Sequence, residues 1–302
     1  MMNKIPIDQI NIHDRKFCIT YPLEDVALYT SIQKIGIIQP VMLLNASPSI
    51  VITGFKRLAI AQQLGFKEIP YIPVDISERE ALLYAIHDNI KRGLNFVEKA
   101  HALERMLHLG FSSEEISDTL IIIGLNPHEK ILKTLIALAS AEDPLKNFIV
   151  DHTLSMKIVD YIMRFEVDER SSIIEILSSF HCTESTIREI LEILNLLKIK
   201  QGKLPFGRLK PASGQELMKQ LKEMAHPILA SLHGKLQDIR RSSALPPNID
   251  IKVDPFFEKE YIDIGIRAKN KDDIYQAIEK LRTLVDDGII GSIFDLTKGN
   301  LR

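Results

Sequence analysis

Tryptophan is absent, and the 302 residues contain only two cysteines, Cys18 and Cys182. The cysteines lie far apart with no paired spacing, which argues against a disulfide framework or a cysteine-built zinc site and fits a reducing compartment, the cytoplasm. No apolar run approaches the roughly 18 residues that a bilayer span requires. The opening MMNKIPIDQINIHDRKF lacks the uninterrupted apolar core of a signal peptide. A soluble chain without a membrane partner is therefore expected. Short repeats and low-complexity stretches are also missing. The nine histidines form no cage or triad: His101 and His108, like His226 and His233, stand seven apart with no further ligand at useful spacing. What the chain does have is 45% hydrophobic residues, enough for two or three compact domains.

The net charge of −2 is unevenly spread. Residues 1–95 carry 10 Lys and Arg against 9 Asp and Glu, residues 96–200 carry 11 against 17, and residues 201–302 carry 17 against 14. The one clearly basic stretch is 200–241, with nine basic and three acidic residues. It is the first place to look for electrostatic contact with nucleic acid, and Lys203, Arg208, Lys210, Arg240 and Arg241 are its candidate DNA contacts.

Apolar periodicity divides the chain. In the first segment, 5–12, 40–45, 50–53 and 69–76 read as strands, while 23–36, 55–65 and 77–92 read as helices. From 96 to 200 the spacing is helical throughout. QGKLPFGRLKPASG, 201–214, is the best linker in the chain. Beyond it a long helix bent near Pro227 is expected, then a hairpin from NIDIKVDP and EYIDIGIRAK, a helix over KDDIYQAIEKLRTLVDD, and a returning strand at IIGSIFDL. The expected fold class is α+β. Its parts are a nucleotide-binding domain over 1–95, a helical domain over 96–200, a linker over 201–214 and a small α+β domain over 215–302.

Two segments carry chemistry. IVITGFKRLAIAQQLG runs a strand into a glycine and then a helix opened by Lys56 and Arg57. Such a glycine lets backbone approach a phosphate, and first-turn amides and cations supply positive potential. Ordinary surface cations after a strand-ending glycine are the plainer alternative. In HDNIKRGLNFVEKAHAL, Asp88, Asn89 and Arg92 lie within about one helical turn, an oxygen pair beside a guanidinium that suits a magnesium-phosphate group. An ordinary i,i+4 Asp–Arg pair is the plainer alternative here.

In order and spacing these segments resemble the ParB N-terminal domain family, the chromosome- and plasmid-partition proteins of ParB/Srx-like fold that bind CTP. The resemblance runs over about 5–165. It rests on SIQKIGIIQP, a G-x-x-R-x-x-x-A box at Gly54, Arg57 and Ala61, a D/E-N-x-x-R box at Asp88, Asn89 and Arg92, and LNxxEKA from Leu94 to Ala100. It implies triphosphate contacts at Gly54, Lys56, Arg57 and Arg92, Mg2+ or phosphate contacts at Asp88 and Asn89, and a hydrolytic role for Gln39. It also places a helix-turn-helix at 112–138, whose Lys130 and Lys133 are candidate DNA contacts, although the segment around it is acidic. By analogy with partition proteins, the tail would pair with a second copy to make a homodimer.

The chain departs from the family in four places. Phe55 replaces a glutamate linked to nucleotide turnover, and Lys56 replaces an arginine. Leu44 falls where an arginine commonly follows the IIQP strand, and one residue is missing between Arg92 and Leu94. The expectation is a CTP-binding, DNA-associated protein of the partition, nucleoid or transcription-regulator type with weak or absent hydrolysis. A small-molecule kinase of the same fold acting on free serine, or a degenerate regulatory relative, are the alternatives.

Overall fold

The computed structural model describes residues 3–209, 211–243 and 245–299, and the side chain of Arg208 lies outside that description. The chain divides into two compact units, Met1–Arg188 and Glu189–Arg302. The fold is α+β with a helical middle region. Among the described residues no helix is long and apolar enough to cross a membrane.

The first unit opens with β1 (Lys4–Pro6) and β2 (Ile10–Asn11), separated by a short 3-10 turn at Ile7–Gln9. The single strand expected over 5–12 is thus broken. Pro6 fixes its own backbone dihedral, and the turn lets the chain leave one sheet position and join another. There follow α1 (Val26–Ile35), β3 (Val41–Leu44), β4 (Ser49–Thr53), α2 (Phe55–Gln63), β5 (Glu68–Val74) and α3 (Glu78–Ile90). The five strands form one mixed sheet in the order β1-β5-β3-β4-β2. The β3–β4 pair is antiparallel, whereas β3 runs parallel to β5 and β2 to β4. Ile5, Val41, Leu43, Val51, Phe55, Leu58 and Ile69 form the core between sheet and helices.

The middle of the chain is helical, as its periodicity implies: α4 (Phe96–His108), α5 (Ser113–Ile122), α6 (Glu129–Ala139), α7 (Asp143–Asp151), α8 (Met156–Ile162), α9 (Val167–Ser178) and α10 (Glu184–Gln201). Each of α3, α4 and α5 starts on a capping box, Ser77–Glu80, Asn95–Glu98 and Ser112–Glu115, in which side chain and backbone satisfy each other's unpaired groups.

In the second unit the single bent helix expected around Pro227 is instead two helices, α11 (Gly214–Ala225) and α12 (Pro227–Ser242). The proline clashes with an α conformation at His226, which sits at φ −133°, and the break is complete. The hairpin forms as expected, β6 (Ile249–Val253) antiparallel to β7 (Ile262–Ile266), and α13 (Lys271–Asp286) follows. The last expected strand is wrong: 289–297 is a helix, α14 (Ile289–Thr297). Its buried residues Ile290, Ile293, Leu296 and Thr297 recur at helical spacing, so a helix sends all four to the core, whereas a strand would expose some of them.

Candidate functional site

The seven residues expected at the nucleotide, Gln39, Gly54, Lys56, Arg57, Asp88, Asn89 and Arg92, all line one cavity of about 250 Å3. Its walls are the loop at Phe17, Ile19 and Thr20, the start of α1 at Asp25 and Leu28, the β4–α2 turn, and the C-terminal end of α3. Three cations therefore reach one space from two segments more than thirty residues apart in sequence.

Gly54 caps α2 in the left-handed region, at φ +96°. A Cβ there would lie 2.8 Å from Val41 Cγ1, and Val41 is fully buried in β3 and cannot retreat. Conformation and close packing both require glycine at this position. With no side chain at the cap, the first-turn amides of α2 receive no capping hydrogen bond.

The cations are held rather than loose. Arg57 donates through Nη1 to the carbonyls of Gln39 at 2.6 Å and Pro40 at 2.7 Å. Burial lowers the pKa of its guanidinium, an effect that the nearby Asp88 charge opposes. Lys56 Nζ stands 3.1 Å from Asp25 Oδ2. Asp25 also caps α1, its Oδ1 accepting from the Leu28 amide at 3.0 Å. That backbone bond, more than the lysine, holds its carboxyl below the usual aspartate range. Gln39 has an exposed side chain and contributes its carbonyl to the site.

At the end of α3, Arg92 Nη2 donates to Asn89 Oδ1 at 2.8 Å, and Asn89 Nδ2 donates to the Ala85 carbonyl at 2.8 Å. Arg92 also forks onto Glu98, with Nη2 2.7 Å from Oε1 and Nη1 3.2 Å from Oε2. Asp88 is exposed at the rim. Among the described residues no three His, Cys, Asp or Glu side chains gather to hold a metal. A magnesium ion here would depend on Asp88 together with ligand oxygens and water, as Mg2+ sites commonly do. Phe55 is buried in the core of the sheet.

The expected DNA contacts are placed differently. On α6, Lys130 Nζ pairs with Asp160 at 3.0 Å and Lys133 with Glu129 at 2.6 Å, so acidic neighbours offset both charges. In the second unit Arg240 Nη2 donates to the Ile251 carbonyl of β6 at 2.6 Å, Arg241 lies 4.0 Å from Asp238, and Lys203 is exposed. Lys210, like the side chain of Arg208, lies outside the described residues. A larger, open groove of about 970 Å3 runs among α10, α11 and α12, and it gathers none of the expected phosphate contacts.

Sequence reasoning left Glu98 without a role. The N-x-x-E pattern of Asn95 to Glu98 signals a helix start, but its pairing with Arg92 has no helical periodicity, because the chain reverses at Gly93 between α3 and α4.

Residues 2–90 match the family model of the ParB N-terminal domain. The probable chromosome-partitioning protein ParB of Vibrio cholerae is 27% identical over 176 residues, 57% of each chain. A probable plasmid-partitioning protein ParB of Thermus thermophilus is 33% identical over 117 residues, 37% of this chain and 39% of the relative. The nucleoid occlusion protein of Bacillus velezensis is 25% identical over 182 residues, 57% of this chain and 62% of the relative. The chain thus spans less than two thirds of the length of these curated relatives. Among solved structures, the C-terminally truncated ParB of Caulobacter crescentus complexed with CTP-gamma-S aligns at TM-score 0.26 and 20% identity, covering 58% of this chain and 99% of that one. The form complexed to the centromeric parS site aligns at 0.33 and 15%, covering 73% and 99%.

Proposed function

Since the chain carries a ParB N-terminal domain over residues 2–90, we propose that its cavity binds a nucleoside triphosphate, CTP as the family resemblance implies. The observation that carries this proposal is the meeting of Lys56, Arg57 and Arg92 in one cavity beside a glycine-capped helix start. A triphosphate brings several negative charges, and guanidinium forks and uncapped amides match its oxygens. Gly54, Lys56, Arg57 and Arg92 would contact phosphate, with Asn89 steadying Arg92. Asp88 is the carboxylate available to a Mg2+ that would neutralise the phosphates. A calorimetric screen of CTP, ATP and ADP, with and without duplex DNA, tests the proposal, and no binding by any of the three would sink it.

Hydrolysis is proposed to be weak or absent. Position 55 carries a buried phenyl ring where the family has a carboxylate, so no acid stands there to polarise water. Gln39 would then act mainly through the carbonyl that fixes Arg57. The kinase alternative needs a free carboxylate base. Asp25 lies in the cavity with both of its oxygens engaged, one by Leu28 and one by Lys56, and Asp88, the other carboxylate lining it, is the one this reading gives to Mg2+.

DNA association is proposed to be led by charge, with the four-part division at 95, 200 and 214 as its framework. Pairing of two copies through the tail is supported by an exposed apolar stripe on α13, Ile274, Ile278 and Val285. With half-buried Leu281 they are spaced 4, 3 and 4 residues apart, the seam of a helix-to-helix contact.

A further inference from the structure

We infer that Glu98 is a positioning residue of the triphosphate cavity, acting through Arg92; this rests on the nucleotide-binding proposal above. Glu98 is fully buried, yet its carboxylate lacks no partner. Oε1 accepts from Arg92 at 2.7 Å and from the Tyr21 amide at 3.2 Å, and Oε2 accepts from Arg92 at 3.2 Å and from the Asn95 amide at 3.0 Å. Asn95 completes the clamp by donating to the Tyr21 carbonyl at 2.7 Å.

A capping role alone does not account for this. Glu80 and Glu115 occupy the same position in the capping boxes of α3 and α5, and both are exposed. A cap needs only one carboxylate oxygen, and burying the whole group carries a desolvation cost that a solvent-facing cap avoids. At α4 the carboxylate is drawn inward to meet a guanidinium lining the cavity. The fork fixes the plane of Arg92, which follows the last turn of α3 and without it would keep only the single Nη2 bond to Asn89, its side chain being 45% exposed. A guanidinium held in advance loses less freedom when it meets a phosphate. The same carboxylate holds the Tyr21 backbone, next to the Phe17–Thr20 wall.

The test is a double-mutant cycle on the full chain, with CTP affinity read by calorimetry and folding followed by circular dichroism. Glu98→Gln should weaken CTP about tenfold, the loss of a charge-assisted hydrogen bond, since an amide nitrogen cannot accept from Arg92. Arg92→Gln should weaken it at least as much. The double variant should bind no worse than Arg92→Gln alone. Additive losses would show that Glu98 acts as general scaffold and would overturn the proposal. If Glu98→Gln does not fold, Arg92→Lys decides: it keeps the charge but not the fork, and is expected to bind as poorly as Arg92→Gln. Native affinity in Arg92→Lys would overturn the proposal. Absence of CTP binding by the unmodified chain is a different result; it sinks the nucleotide assignment itself, and this inference with it.

Discussion

Arg57 both faces the cavity and ties the Gln39–Pro40 backbone to α2, so removing it has two costs. Arg57→Ala is expected to weaken triphosphate binding by about 1.5 to 3 kcal/mol, the range for hydrogen bonds to charged groups, and to lower stability as well. Calorimetry and urea unfolding separate the two. Phe55 presents a different case. A glutamate placed there to restore the family residue would lose core packing and bury a charge, and Phe55→Glu should cost about 3 kcal/mol or more in urea unfolding. A gain in CTP turnover without that loss would show that the ring can leave the core. Asp25 has its pKa depressed, so its contribution to stability is full above the ordinary aspartate range, about pH 4, and fades as pH falls below it. Asp25→Asn keeps a capping side chain but removes the charge. It should flatten that acid limb of the stability profile, measured by thermal melts between about pH 2 and 7.

The turn from β4 into α2 is where local backbone and packing constrain each other most. Gly54→Ala must adopt a left-handed conformation, costing about 1 to 2 kcal/mol, and also push on Val41. Adding Val41→Ala should remove the steric part but not the conformational part, although it opens a cavity of its own in β3. The prediction is therefore a favourable coupling energy between the two substitutions in urea unfolding, and simple additivity would contradict it. On α13 the exposed stripe predicts that Ile278→Asp lowers the sedimentation coefficient of the full chain while leaving its helix content intact. An unmodified chain that is already monomeric at tens of micromolar would refute pairing through this stripe.

For the molecule as a whole, the distribution of charge bears on how DNA is met. Lys130 and Lys133 are paired with acidic neighbours within the first unit, whereas the 200–241 stretch keeps an excess of cations even with the Lys222–Glu189 pair formed. Affinity for random duplex should accordingly fall with salt. Replacing Lys203, Arg208, Lys210, Arg240 and Arg241 with Gln should reduce the log–log salt slope by up to about 0.9 for each phosphate left without its cation. Part of any Arg240 effect will be structural, because that side chain holds a β6 carbonyl. Fluorescence anisotropy on random and selected duplexes checks this. A sharp site preference abolished by changing Lys130 and Lys133 alone would return DNA reading to α6.

The amino-acid order set most of the elements and pointed to seven of the residues that line the cavity. Helix starts are written locally in Ser77–Glu80 and Asn95–Glu98, the hairpin in alternating isoleucines, and the phosphate-type residues in boxes of short spacing, so one-dimensional patterns suffice for them. Tertiary structure decided which groups those residues hold. Arg57 commits Nη1 to two backbone carbonyls, Lys56 sits on Asp25, and Glu98 reaches back to Arg92 across a chain reversal. It also turned 289–297 into a helix and placed Phe55 in the core. Such outcomes depend on which surfaces the whole chain brings together and removes from water, and burial of that kind is a property of the packed molecule rather than of any short run of residues.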